Sequence, residues 1–351
     1  MSLPILQRAA FVAAGTALAI AGLQASGVSP AAAPIEHSVS DSRSSAHLNG
    51  VAADQDKFAV GVLRRDGIVV PFATFDGKRW RQDWPEPRGS EEIPASIDNV
   101  PPRWWGGLGP LDTWQAWTAA AAPLRLRVLQ PDWYDAQCVR HVGLRTDYRS
   151  MLPRVDPKAA PFPKDGIAIA PPRGPETIER VEIENVGMSA PEVAAAFNEA
   201  ERKAVKRFED RSKFPIPAER RGDAQLKIEA IYAAGSRSGT RVYYVEASKQ
   251  YAFRDRMNDD ARLGRCAQVS FGGGWFVGDA NRPLKPLGFE VAVVACNRYQ
   301  ARYMLPLGAT RLAGRYFWIA QWAGWDYEEY SIVEIKQDKT DVALRAWGGG
   351  C

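Results

Sequence analysis

Histidine is scarce in this chain of 351 residues, and its scarcity excludes several kinds of site. The sequence has three histidines, and two of them, His37 and His47, lie in a polar stretch near the N-terminus. Only His141 belongs to a segment expected to fold, so a zinc site with several histidine ligands cannot be assembled. A catalytic Ser-His-Asp triad or Cys-His pair would have to use His141. Cys138 lies three positions earlier, and residues an odd number apart on a strand face opposite sides. We therefore interpret Cys138 as a disulfide partner and His141 as a structural residue.

Motifs that bind phosphate, activate a serine or hold calcium are also lacking. The glycines at 272–274 are followed by Trp275 and Phe276, which favour a strand, whereas a phosphate cradle needs the start of a helix. A bulge or a close backbone contact is the better interpretation of these glycines. No Walker-type ending and no Gly-x-Ser-x-Gly elbow occurs, and the acidic residues at 255–260 do not have EF-hand spacing. The sequence therefore predicts no metal site and no cofactor.

An excess of charge of one sign is missing as well. The chain has 45 basic and 41 acidic residues and a formal net charge of +4. The basic residues are interspersed with acidic ones and form no stripe. Because nucleic-acid binding requires a concentrated basic surface, we expect no nucleic-acid partner.

Long apolar runs are absent beyond the N-terminus. There, Arg8 precedes an uncharged run at 9–25, and small residues at 25–33 offer the small-x-small spacing that a signal peptidase cleaves. We predict a signal peptide at 1–33, a periplasmic or secreted location, and no stable membrane insertion after cleavage. The alternative is an uncleaved membrane anchor, for which a run of about 17 residues is close to the short limit.

The four cysteines are even in number, which in an exported protein suggests disulfides. Three complete pairings exist. We favour Cys266 with Cys296, because both lie at the ends of strand-like runs in one domain, which leaves Cys138 for Cys351. Reduced thiols remain the alternative.

The fold class predicted is α+β with predominantly antiparallel β structure. Residues 34–54 are Ser-rich and are expected to be a disordered linker. Apolar runs separated by Asp-Gly turns predict a β-meander within 58–84. A proline-rich stretch at 153–175 suggests a junction between a β-rich domain at 55–172 and an α+β domain at 173–351.

The second domain is expected to be an antiparallel sheet covered by one long amphipathic helix. Ser189 and Glu192 have the spacing of a capping box, with Pro191 in the first turn. An apolar stripe follows from Val193 to Phe208. Alternating segments after the helix predict further antiparallel strands.

Two groups of residues are candidates for function, and the first is aromatic. Trp104 and Trp105 lie near a Gly-Pro loop, and Trp322, Trp325 and Tyr327 surround a tight turn. Flat exposed rings on turns can stack on sugar faces or contact apolar groups. We therefore predict a non-catalytic, envelope-associated or ligand-binding protein whose partner is a glycan or another envelope polymer. The alternatives are a structural module in which these rings are buried, and an enzyme.

The second group is acidic and supports the enzyme alternative. Asp326, Glu328 and Glu329 lie beside the aromatic turn. Paired carboxylates act as acid and base in glycoside hydrolysis. In this alternative the protein is a hydrolase that cleaves a cell-envelope polymer or glycan.

Overall fold

The computed structural model describes most of the chain after residue 56. The described residues are 57–82, 84, 113–118, 122–154, 156, 162–171, 174–175, 179–180, 190–209, 216, 221–222, 224–235, 239–252, 266–278 and 283–351. The predicted signal peptide and linker, and the candidates Trp104 and Trp105, lie outside them. Antiparallel β structure predominates in the described residues, which contain a single helix, so the predominantly β class is confirmed.

The N-terminal part forms a closed β-barrel. Its strands are β1 (Lys57–Arg64), β2 (Ile68–Asp76), β3 (Trp80–Arg81), β4 (Thr113–Thr118), β5 (Leu124–Ala136), β6 (Val139–Thr146) and β7 (Lys164–Ala170). The strand order is β1-β7-β4-β5-β6-β2. Because β2 also pairs with β1, these six strands close into a barrel. The short strand β3 pairs with β2 and is not part of the closed ring. The hairpins predicted within 58–84 are therefore present, but they belong to a barrel and not to an open meander. Closure depends on β7 pairing with both β1 and β4, and such distant pairings leave no local sequence pattern.

Residues on alternate positions of the barrel strands form two separate cores. One core contains residues from all six barrel strands, including Leu63, Trp114 and Leu144, and fills the barrel interior. The other contains Val60 and Val62 and faces outward, against a second layer of the protein.

The chain continues into an outer sheet with the helix on it. Its elements are β8 (Glu179–Arg180), α1 (Ala190–Glu209), β9 (Lys227–Gly235), β10 (Arg241–Ala252), β11 (Cys266–Gly278) and β12 (Lys285–Val294). The strand order is β12-β11-β10-β9-β8. The predicted apolar stripe of α1 packs on one face of this sheet, with Val193 in a core that includes Val245 and Phe276.

Four sequential antiparallel strands form a central sheet. They are β13 (Tyr303–Leu312), β14 (Arg315–Ala323), β15 (Tyr327–Ile335) and β16 (Thr340–Gly350). Phe317 and Tyr330 on one face pack against the barrel. Trp318 on the other face meets Trp275 of the outer sheet, with ring centroids 4.9 Å apart. The layers are therefore barrel, central sheet, outer sheet and helix.

Two disulfides are formed, both in the favoured pairing, and the first of them joins two of these layers. Cys138 in the β5–β6 turn is bonded to Cys351, which follows β16, so the barrel is linked to the central sheet. Cys266 at the start of β11 is bonded to Cys296, just after β12. Within the described ranges, no helix combines the length and the apolar character needed to cross a membrane.

Candidate functional site: a cleft between the two stacked sheets

A cavity of about 440 Å³ lies between the outer and the central sheet. Its walls include residues of β10, β11 and β12 on one side and of β14, β15 and β16 on the other. Since β12 and β16 are edge strands of their sheets, the cavity is a cleft at one border of the sandwich. Its size falls in the range of small-ligand pockets.

On the outer sheet, the cleft depends on a glycine in β11. Gly273 pairs with Glu246 of β10, and the ring of Tyr244 lies over it: a Cβ at position 273 would be 2.0 Å from the Tyr244 hydroxyl. The predicted close contact at this glycine is thus made by an aromatic side chain. The Tyr244 ring meets Trp275 and Trp322 edge to face, at 4.9 and 5.7 Å between centroids.

The Tyr244 hydroxyl remains protonated in the working pH range of proteins. Burial raises its pKa well above the ordinary value, and the nearby carboxylates of Glu246 and Glu290 raise it further. This side of the cleft therefore presents a neutral phenol surrounded by aromatic rings.

On the central sheet, one row of side chains crosses three strands. Trp322 on β14 is directly opposite Glu329 on β15, and Glu329 is directly opposite Trp347 on β16. Side chains at opposed positions share a face and lie side by side. Trp322 Nε1 donates a hydrogen bond of 2.6 Å to Ser331 Oγ, which fixes the indole, while Trp347 is 46% exposed. A carboxylate therefore stands between two tryptophans, of which Trp322 lines the cleft and Trp347 lies exposed beside it on the edge strand.

Two arginines bracket this carboxylate. Arg302 Nη2 and Arg345 Nε each lie 3.9 Å from a Glu329 carboxylate oxygen. Arg302 Nε also donates a hydrogen bond to the Tyr327 hydroxyl. Glu290 faces the cleft from the outer sheet and is exposed. Both arginines are about half exposed, so their remaining N–H groups and the carboxylate oxygens can bond a ligand.

The predicted aromatic residues fall in three places. Trp322 lines the cleft, and Tyr327 lies beneath the guanidinium of Arg302, which is 4.9 Å from its ring centroid. Trp325 is at the exposed β14–β15 turn. Trp104 and Trp105 lie outside the described residues.

The three predicted carboxylates do not converge. Only Glu329 lines the cleft. Glu328, the next residue on β15, faces the barrel, where Lys164 Nζ donates a hydrogen bond of 2.9 Å to it. Asp326 in the turn accepts a hydrogen bond of 3.1 Å from the Tyr299 hydroxyl. Because side chains alternate along a strand, neighbouring carboxylates on β15 cannot act on one ligand.

Sequence reasoning missed Tyr244, Glu290, Arg302 and Arg345. Tyr244, Glu290 and Arg345 are ordinary strand residues and Arg302 directly precedes β13, and only the stacking of two sheets brings them together. The one available signal was the run of glycines at 272–274, which indicates a strand on which a side chain can lie flat. Among the residues that the structure describes, no group of three or more His, Cys, Asp or Glu side chains could hold a metal ion.

A comparison of the chain with protein-family models, with curated proteins and with solved structures finds no match, so the function of the cleft is inferred from its own side chains.

Proposed function

We propose that this is an exported binding protein that holds a carbohydrate chain in the cleft between its central and outer sheets. One observation carries the proposal: the row formed by Trp322, Glu329 and Trp347, bracketed by two arginines at the open border of the sandwich.

The chemistry of this row suits a sugar. A pyranose ring has apolar C–H faces and a rim of hydroxyl groups. Indole faces can cover the C–H faces, while Glu329 accepts hydrogen bonds from hydroxyls and Arg302 and Arg345 donate to them; bonds to charged groups are the stronger kind. The two arginines are balanced by Glu329 and Glu290, which favours a ligand with many hydroxyls over a strongly charged one.

Export is supported by the thiol chemistry and the N-terminal sequence. All four cysteines are paired in disulfides, and disulfides persist in oxidising compartments such as the periplasm and the extracellular space. The apolar run at 9–25 after Arg8 has the features of a signal peptide.

Binding is tested by applying the purified protein to a glycan array and to purified peptidoglycan. We expect retention on at least one glycan, and an affinity at least about tenfold lower for Trp347→Ala, equivalent to about 1.4 kcal/mol. Leu129→Ala is the matched control, because Leu129 is also an exposed apolar residue, 53% exposed, but lies on the barrel. No retention of the wild type, or equal retention of Trp347→Ala, overturns the proposal.

A hydrolase is a second candidate, favoured by one observation. Glu290 and Glu329 line the cleft from sheets on opposite sides, as a general acid and a second carboxylate must flank a glycosidic bond. If the protein is a hydrolase, the wild type releases reducing ends from the glycan that it binds, and Glu290→Gln stops the release while binding persists. A wild type that binds the glycan and releases no reducing ends excludes this candidate.

A further inference from the structure

We infer that the carbohydrate is a chain of several units, which passes Arg302 at the end of the cleft and continues onto a second aromatic platform formed by Tyr299 and Trp325. This inference rests on the proposed function and specifies the length and the course of the ligand.

The platform consists of two exposed rings from separate loops. Tyr299 lies between β12 and β13 and is 41% exposed, and Trp325 lies in the β14–β15 turn and is 56% exposed. Their ring centroids are 5.8 Å apart, with planes inclined by 43°. Large exposed aromatic groups that are brought together in this way are a common sign of a contact surface.

Hydrogen bonds fix the platform in place. The Tyr299 hydroxyl donates to Asp326 Oδ2 at 3.1 Å, and the Tyr299 N–H donates to Asn297 Oδ1 at 3.1 Å. The carbonyl of Asp326 in turn accepts a bond of 2.8 Å from the N–H of Cys351. The Tyr299 ring and the turn that carries Trp325 are therefore held before any ligand arrives, which lowers the entropy cost of binding.

The loop that carries Tyr299 is anchored at two positions on its N-terminal side. Arg298 makes two hydrogen bonds with the buried carboxylate of Glu229, at 2.8 and 2.6 Å. Cys296, two residues earlier, is held by its disulfide to Cys266. An exposed ring on so firmly held a loop has a defined position, as a ligand platform requires.

The platform and the cleft meet at the loop before β13, because Gln300, next to Tyr299, lines the cleft together with Arg302. Arg302 lies 3.9 Å from Glu329 and bonds Tyr327, which is two residues from Trp325. The four-residue step from Trp325 to Glu329 spans at most about 14 Å even if fully extended. A short oligosaccharide is therefore long enough to contact both the cleft and the platform.

The size of the platform argues for a polymer strand and against a protein partner. Two aromatic side chains bury roughly 500 Å² at most, while a stable protein interface needs roughly 800 Å² on each side. A narrow polymer strand that already has contacts in the cleft needs no larger contact area on the platform to bind there.

The test is calorimetric titration with oligomers of β-1,4-linked N-acetylglucosamine and of β-1,4-linked glucose, from one unit to six. We expect the affinity of the wild type to increase with length, and Trp325→Ala to lose the increase, with about a tenfold weaker binding of the longest oligomer and unchanged binding of the shortest. Tyr299→Phe keeps the ring and removes only the bond to Asp326, so we expect it to keep most of the length dependence.

The two proposals fail in different ways. If neither series binds to the wild type, the carbohydrate proposal is wrong for the cleft itself. If oligomers bind to the wild type, but Trp325→Ala either weakens the binding of all lengths equally or leaves it unchanged, the cleft proposal stands and the second platform is refuted. Unchanged thermal unfolding of Trp325→Ala confirms that the variant is folded.

Discussion

Lys164 on the barrel and Glu328 on the central sheet form a buried ion pair, with 2.9 Å between Nζ and Oε2. Their side chains are 1% and 9% exposed. Lys164 Nζ also donates to the carbonyl of Phe162 at 2.6 Å, and the Tyr330 hydroxyl donates to Glu328. Burial lowers the pKa of Lys164, and the Glu328 carboxylate opposes this effect. This carboxylate therefore joins two layers of the protein and is not available for chemistry in the cleft.

We expect the removal of one partner of this pair to destabilise the protein. Lys164→Met leaves the Glu328 carboxylate buried without its cation, and we expect the free energy of unfolding to fall by about 3–5 kcal/mol, measured by urea denaturation. Glu199→Gln is the control, because the pair of Glu199 and Lys203 on α1 is exposed and such pairs contribute about 1 kcal/mol or less. A loss in Lys164→Met no larger than that of the control contradicts a stabilising role for the buried pair.

Local features of the fold could be predicted from the sequence because they depend on neighbouring residues. The Asp66-Gly67 turn between β1 and β2 is present, and Gly67 adopts a φ of +85°, which glycine tolerates without strain. The helix begins at Ala190, next to the predicted capping residue Ser189, which lies outside the described residues. Four residues of its stripe are buried as the spacing indicated: Val193, Phe197, Ala200 and Ala204.

The barrel, the stacking of the sheets and the cleft could not be predicted in the same way. Alternation along β15 shows that Glu328 and Glu329 face opposite sides, but not which side is the barrel and which the cleft. Glu290 and Glu329 come from different sheets, about forty residues apart in the sequence, and the packing of these sheets, with Trp275 on Trp318 in their shared core, brings the strands together. The sequence therefore predicted single side chains of the site, such as Trp322, but not their partners.

The two disulfides should differ in their contribution to stability. Cys138 and Cys351 are 213 positions apart, and Cys266 and Cys296 are 30 apart. Closing the longer loop restricts the unfolded chain more, by about 5 kcal/mol against about 3.5 kcal/mol in the loop-entropy model. We expect the serine double variant of the first pair to lose more free energy of unfolding in denaturant titrations. A larger loss in the second pair's variant would show that native contacts, and not loop length, govern the effect.

Gly273 should be required for the shape of the cleft. In Gly273→Ala the new Cβ overlaps the Tyr244 hydroxyl, so the ring, which lines the cleft, must move. We expect a loss of about 1–3 kcal/mol in the free energy of unfolding, and weaker binding of the oligosaccharide retained by the wild type. Gly235→Ala is the control, since nothing lies within 4 Å of a Cβ at that strand end. Equal stability and binding in the two variants would mean that Tyr244 has room to move elsewhere.

Stability should fall in mild acid because of His141. This side chain is buried and stacks on Tyr134, with centroids 5.6 Å apart and planes inclined by 10°. Burial lowers the pKa of His141 to about 4; the backbone of Trp347 opposes this effect, and the Arg64 guanidinium acts in the same direction as burial. In the unfolded chain the pKa is about 6.5, so between these values the unfolded state binds the proton and the folded state does not.

Free energy of unfolding is therefore lost as the pH falls from about 6.5 to about 4, by about 3 kcal/mol for this group. His141→Phe keeps an aromatic ring against Tyr134 and cannot titrate. We expect its stability, measured by denaturant unfolding across this pH range, to decline by about 3 kcal/mol less than that of the wild type, because the carboxylates titrate in both proteins. Parallel curves for the two proteins would show that His141 is protonated in the folded state at the same pH as in the unfolded chain, and that its burial has no energetic consequence.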